Sequence, residues 1–393
     1  MRFLVVVYFR PIFPSETTNA MINRTFYRHM TAEVLSARLL SISIVTEKRT
    51  QHTGGRNLDE EGFRNHCIKR NVKEETIQVH IEIVKDFEAF LIKNYGNRDF
   101  SNSSPSDMQS FVAHLMETGK NTIDSFVALI RYAMFVNKRG IVAFLFGFIE
   151  GFGALEKLSD TLKQTMGESK RDEIFAGINL PPLGTDPKDK PKIAKRIMER
   201  LETTLDENTL KEIMSSGLDV GPKESYLPLR EKFLKSQNID DFLRKKHQDA
   251  VELLEKHSRE KSMFYAQEID EEVVEYVRNN PEVMGGVRRG DIIYETKIPY
   301  MTKKYLHEKD DKLKRYYACH CAWVREAIKS GLKISPNFCY CSAGYHKRPW
   351  DIIFDQPVKA DVIKTVLKGD LVCRFAIQIP TQFLEFKGAA QKK

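Results

Sequence analysis

The sequence predicts an α+β protein: an N-terminal helical bundle followed by a C-terminal mixed α/β domain with a zinc or thiolate site. Three observations carry this. Apolar residues recur at helical spacing through residues 58–176. The pattern turns to strand-like alternation near residues 285–299 and again at 357–379. Five of the six cysteines (Cys319, Cys321, Cys339, Cys341 and Cys373) fall between Tyr316 and Pro380, as do both tryptophans, Trp323 and Trp350.

Size and composition bound the answer. At 393 residues the chain has room for two or three domains. A hydrophobic content of 41% with 10% aromatic residues supports a real core and argues against a disordered chain. A net charge of +8 is mildly basic, and over this length it favours nucleic acid only weakly. The opening MRFLVVVYFRPIFPSE has an apolar run broken by Arg10 and Pro11, too short for a secretory signal. The most apolar internal run, Ile141 to Leu155, carries Glu150 and several glycines and falls short of the roughly 20 residues of a membrane span. A cytoplasmic protein with no membrane association is expected. In that compartment clustered cysteines favour metal or redox chemistry over structural disulfides.

In chain order, residues 1–57 read as a leader, with Thr50 to Asn57 loop-like. Residues 58–176 read as the bundle. Asn71 with Glu74 makes a capping-box pattern, and Ile77, Ile81, Val84, Phe87 and Leu91 form an apolar stripe. Ser104 and Pro105 begin the next helix, with Met108, Phe111, Val112 and Leu115 inward and Gly119 at its end. Asn121 starts a third, with Ile123, Phe126, Val127, Ile130 and Ala133 inward. Ile141 to Leu155 is expected as one central helix. The Pro- and Lys-rich stretch at 177–192 reads as a linker. The second domain is expected over 193–385, with a tail at 386–393. Within it, a helical pair breaks near Asp206 and a long charged helix covers Ile239 to Ser262. A strand follows within Gly285 to Pro299, then a helix ending near Trp350 to Phe354. Two strands follow around the turn Lys368-Gly369-Asp370, with Cys373, Phe375, Ile377 and Ile379 on one face.

The bundle segments EETIQVHIEIVKDFEAFL and SSPSDMQSFVAHLMETGKNTIDSFVALIRYAMFV resemble the SAM-like core-binding domain of phage-type tyrosine recombinases. That resemblance implies a helical clamp on DNA, with Lys69, Arg70, Lys120, Arg131, Lys138 and Arg139 as candidates for phosphate contacts. The plainer reading of these residues is solvated charge on a bundle used for packing or for a homodimer. No His-x-x-Arg occurs with a downstream tyrosine in the recombinase order, so recombination chemistry is excluded.

Cys319-His320-Cys321 and Cys339-Tyr340-Cys341 are two Cys-x-Cys pairs, and Cys373 is a fifth candidate metal ligand. Soft thiolates close in sequence suit tetrahedral zinc, although the spacing is tighter than the usual Cys-x-x-Cys. The alternative for the same thiols is a dithiol switch. Cys67, by contrast, reads as a small buried hydrophobe. His320, His346 and Cys341 are the candidate catalytic groups.

The run CYCSAGYHKRPWDIIFDQPVKADVIKTVLKGDLVCRF resembles the 4-vinyl-reductase domain of phenol-sensing activators and archaeal regulators. Cys339, Gly344, Tyr345, Phe354, Pro357, Val358, Gly369, Cys373 and Arg374 occupy the family positions. The resemblance implies zinc on Cys339 and Cys373. The family's middle cysteine is replaced by Thr365, and its glutamate position falls near Cys319, so Cys319, Cys321 or Cys341 would complete the set. The motifs TKIPY, CHCAWVREAI, FCYCSAGYHK and LKGDLVCRFAIQIP also resemble a bacterial and archaeal family of unknown function related to the aminothiazoline-carboxylate hydrolases. Related domains enclose an apolar pocket, which Trp323, Tyr345, Trp350 and Phe354 would line here.

The expectation is a zinc-binding sensor or scaffold for a small-molecule ligand, with a bundle that touches DNA. A hydrolase of a cyclic amide-type molecule, using the Cys/His cluster, is the second reading. A thiol redox switch is the third.

Overall fold

A computed structural model of the chain describes residues 58–96, 98–216 and 222–388. The expected leader at 1–57 and most of the tail at 386–393 lie outside the described residues. The chain divides into two compact units. One contains 58–152 and Pro181–Pro187; the other contains Gly153–Leu180 and 188–388.

The first unit is helical: α1 (Glu60–Ile68), α2 (Glu74–Tyr95), α3 (Pro105–Glu117), α4 (Ile123–Phe135) and α5 (Arg139–Ile149). The expected stripe on α2 and the inward face of α3 are buried. Ser104 caps α3 as expected, its hydroxyl accepting from the Asp107 N–H while the Asp107 carboxylate accepts from the Ser104 N–H. Two caps differ. Asn71 takes a left-handed φ of 57° and turns the chain between α1 and α2, while Lys73 precedes α2 without a side-chain cap. Thr122, not Asn121, caps α4, which buries Leu129 and Tyr132 and leaves Ile123 and Val127 half-buried.

The expected single helix over Ile141 to Leu155 is two. Gly151 and Gly153 adopt φ of 77° and 81°, a conformation glycine takes without strain and an α-helix cannot contain. The helix that follows, α6 (Ala154–Met166), and α7 (Glu168–Phe175) belong to the second unit. Their Leu155, Leu158, Leu162 and Ile174 share one apolar core with Ile197, Leu201 and Ile213. The division therefore falls near residue 153 instead of at 177–192. Part of that expected linker completes the first unit. The Asn121 amide donates to the Leu183 carbonyl at 2.7 Å, and Gly184 packs directly on Met116 and Phe126.

The second unit continues with α8 (Lys190–Thr204), α9 (Glu207–Met214), α10 (Leu227–Leu234) and α11 (Ile239–Arg259). Asp206 breaks the expected helical pair by capping α9 through the Asn208 and Thr209 N–H groups. A two-residue hairpin, β1 (Met263–Phe264) and β2 (Gln267–Glu268), leads to α12 (Glu271–Arg278). Then come β3 (Val287–Arg289), β4 (Ile292–Thr296), α13 (Thr302–His307), α14 (Asp311–Ala318), α15 (Arg325–Ser330), α16 (Tyr340–Ile353), β5 (Ala360–Lys364) and β6 (Arg374–Gln378).

β3 to β6 form one antiparallel sheet in the order β3-β4-β6-β5. Period-2 geometry puts Ile293 and Glu295 of β4 on the same face as their partners Ile377 and Phe375 of β6. That face is covered by α16 and α11. On the opposite face Arg374 lies 4.2 Å over the Tyr294 ring and grips Glu282 with two bonds of 2.7 and 2.8 Å. Among the described residues no helix is long and apolar enough to cross a membrane.

Candidate functional site

Glu295 is a carboxylate on the covered face of the sheet, between Ile293 and the start of the TKIPY loop, and it is 5% exposed. A buried charge needs partners, and three elements supply them. Lys246 lies on α11, four residues after Phe242 and four before Ala250, so helical periodicity carries it inward with two buried residues. Its ammonium donates to Glu295 Oε1 at 2.5 Å and to the Gly285 carbonyl at 2.6 Å. The Trp350 indole donates to the same oxygen at 3.0 Å. His346, one turn earlier on α16, meets Glu295 Oε2 through Nδ1 at 2.7 Å. Its ring stacks 4.4 Å from that of Phe375, the cross-strand partner of Glu295.

The electrostatics follow from this geometry. Burial alone would push the Glu295 carboxyl up, but the Lys246 ammonium and the His346 hydrogen bond overcome it and hold the group at about 2. Burial lowers His346, and Lys297 and Lys246 add to that, against the opposing pull of Glu295. An ionised Glu295 only accepts, so His346 Nδ1 carries the proton, and in the neutral ring Nε2 keeps a lone pair. That Nε2 is buried and meets no hydrogen-bond partner.

Beside this network lies Lys297, two residues beyond Glu295. Its ammonium donates to the Ser342 hydroxyl at 3.2 Å and stands 5.6 Å from the Tyr345 ring centre. Its backbone N–H donates to the Cys373 carbonyl at 2.9 Å. All four motifs quoted from the sequence meet in this region: TKIPY through Lys297, CHC through His320, CYCSAGYH through Tyr345 and His346, and LVCRF through Cys373 and Phe375.

The thiols of Cys319, Cys321, Cys339 and Cys373 come from three separate segments and act on one another electrostatically. Burial raises Cys319, Cys339 and Cys373, and ionisation of a neighbouring thiol would raise each of them further. Thr365 is fully buried and donates its hydroxyl to Cys339 Sγ at 2.8 Å. Cys319, Cys321, Cys339 and Cys373 form no disulfide. Cys341 follows Cys339 by two residues at the start of α16, and helical phase turns it to another side. The donor set suits zinc in kind. Among the described residues, however, no three His, Cys, Asp or Glu side chains stand ready to hold a metal ion.

Other expected site residues are placed differently. His320 is tied back: its Nε2 lies 2.5 Å from the Ile298 carbonyl, and Tyr265 and Tyr300 flank its ring edge-on. Burial, with Lys297 beside it, drives its basicity well down. Trp323, Trp350 and Phe354 are buried in the apolar core, whereas Tyr345 is half-buried beside Lys297. Cys67 is the buried small hydrophobe expected, with its thiol pushed up to about 11 by burial.

On the bundle, Arg131 is 5% exposed and donates to His80 Nδ1 at 3.2 Å, which removes it from any set of surface phosphate contacts. Lys120 pairs with Asp86 at 2.9 Å, and Arg70 bonds the His66 carbonyl. Lys120 and Lys138 lie beyond opposite ends of α4, roughly 20 Å of helix apart, so the six cations do not form one patch.

Sequence reasoning missed Glu295, Lys246 and Lys297. The signal was present for the first two: Glu295 occupies the inward phase of IIYET, and Lys246 the inward stripe of α11. A charge at an apolar phase marks a paired group. No family model, curated protein or solved structure matches the chain.

Proposed function

We propose that the second unit binds a small molecule beside a zinc ion held by the thiolates of Cys319, Cys321, Cys339 and Cys373. What supports this reading is that Cys319, Cys339 and Cys373, three thiols without disulfide partners from three segments, are buried near enough to Cys321 and to one another for a neighbouring thiolate to raise each of them. A divalent cation with soft affinity is the partner that turns this mutual penalty into binding energy, and its uptake would release protons. The zinc would cross-link the CHC loop, the start of α16 and the start of β6. The redox reading is weaker on the same ground: exchange needs a thiolate, and burial disfavours that form at Cys319, Cys339 and Cys373. A hydrolase reading draws on the Glu295–His346 pair, which has the form of an oriented base, with Cys341 as a nucleophile candidate. For the bundle, contact with DNA rests on Lys69, Arg70, Lys138 and Arg139 and predicts affinity that falls steeply with salt.

The deciding measurement is the metal content of the protein purified without added metal, with thiols counted before and after a chelator. About one zinc per chain, with several thiols reactive only after chelation, supports the proposal. No metal, with these thiols reactive from the outset, overturns it.

A further inference from the structure

The Glu295–His346–Lys297 group has two chemical vacancies. His346 is 8% exposed, is fixed by Glu295 on one nitrogen and by Phe375 on its face, and offers a bare acceptor on the other nitrogen. A buried acceptor left unmet is destabilising, so such a group points to a missing donor. Lys297 has the complementary lack. Its ammonium is half-buried and touches only a hydroxyl and a ring, with no carboxylate partner among the described residues. Lys246, the other cation of the network, is already neutralised by Glu295. Tyr345 connects the two vacancies, its ring 5.6 Å from the Lys297 ammonium and 5.8 Å from the His346 ring centre. Both groups border that ring, and the Lys297 charge acts on the His346 imidazole.

We infer that this site takes a small carboxylate carrying an O–H donor next to its acid group, a 2-hydroxy acid, with the carboxylate on Lys297 and the hydroxyl donating to His346 Nε2. Glu295 is a positioning residue: it fixes the imidazole tautomer that leaves Nε2 as the acceptor. Phe375 and Tyr345 supply the apolar and aromatic walls. A ligand lacking the hydroxyl leaves Nε2 unmet, and a ligand lacking the charge leaves Lys297 unmet, so selectivity is set at two points. The inference rests on the small-molecule half of the proposed function and not on the metal half.

The test is calorimetric titration of the full-length protein with three probes: lactate, propionate (no hydroxyl) and methyl lactate (no charge). Lactate is expected to bind at least about tenfold more tightly than either. His346→Phe should bring lactate down to the propionate level without weakening propionate. Lys297→Met should abolish the preference for lactate over its methyl ester. Circular dichroism of each variant checks that it is folded, and Ser342→Ala, which removes only the hydroxyl beside Lys297, serves as a milder second probe. Equal affinity for all three probes, or no heat with any of them at millimolar concentration, overturns the inference. Metal content is measured on the same samples, so a protein without zinc that still selects lactate refutes the metal proposal alone.

Discussion

Glu295→Gln keeps the shape of the side chain and removes its charge. The Lys246 side chain, 9% exposed, is then left with the Gly285 carbonyl and a neutral amide in a dry site. Breaking a buried ion pair by removing one partner costs about 3–5 kcal/mol, because the remaining charge stays desolvated. Both tryptophans belong to the second unit, and the Trp350 indole touches Glu295 directly, so tryptophan fluorescence follows this unit without signal from the bundle. With a urea dependence of about 2 kcal/mol/M, a loss of about 4 kcal/mol lowers the unfolding midpoint by about 2 M. Lys246→Met alone should cost a similar amount. The double variant should recover most of the loss, since neither charge then remains unpaired, and the cycle isolates their coupling. If Glu295→Gln unfolds within about 0.5 kcal/mol of the wild type, or if the two losses simply add, the network is not the coupled unit described here.

Acid should weaken the same unit. A carboxyl held at about 2 contributes stability that is complete above the ordinary carboxylate range and is lost as pH falls from there toward 2; Glu295→Gln should flatten that limb in the fluorescence assay. In the bundle, burial and the Arg131 charge hold His80 at about 3, so the neutral form is built into the fold. Its contribution is complete above the ordinary histidine value and fades as pH drops toward 3, a loss that hydrogen exchange on α2 and α4 should show and His80→Leu should reduce. Gly344→Ala would gain helix propensity in α16, but its Cβ would stand 2.5 Å from the Ser215 backbone oxygen. The clash should dominate, with a net loss of about 1–3 kcal/mol in the urea midpoint.

What the sequence discloses here depends on the range of the interaction. Helices with clean apolar stripes, such as α2 and α3, were legible because their signal is local. So were the Ser104 cap, the break at Asp206, and the β5–β6 hairpin turning at Gly369. The membership of α6 was not legible, because it depends on whether Leu155 and Leu158 meet Ile197 or the bundle, a choice made by residues far along the chain. The candidate site divides the same way. Clustering in sequence singled out Cys319, Cys321, Cys339, Cys341 and Cys373 together with His320 and His346, without separating them by role. Lys246, 49 residues before Glu295, has no sequence neighbour that announces the pairing. Arg131 misled because an arginine in an apolar helix reads as a surface cation, whereas its guanidinium is buried against His80. Trp350 has a double character that the sequence does not disclose: it is core by packing and polar by its indole bond to Glu295.

The interleaving of the two units has a consequence for synthesis. Domains generally form as units, the N-terminal one first, as the chain leaves the ribosome. Here the bundle lacks Leu183 and Gly184 until residues 153–180 have already emerged. Those residues form α6 and α7, whose partners Ile197, Leu201 and Ile213 lie further along the chain and emerge later. For that interval Leu155, Leu158 and Leu162 have only Ile174 and Ile178 of the core that surrounds them in the folded unit, so this stretch is left incompletely buried until the later helices arrive.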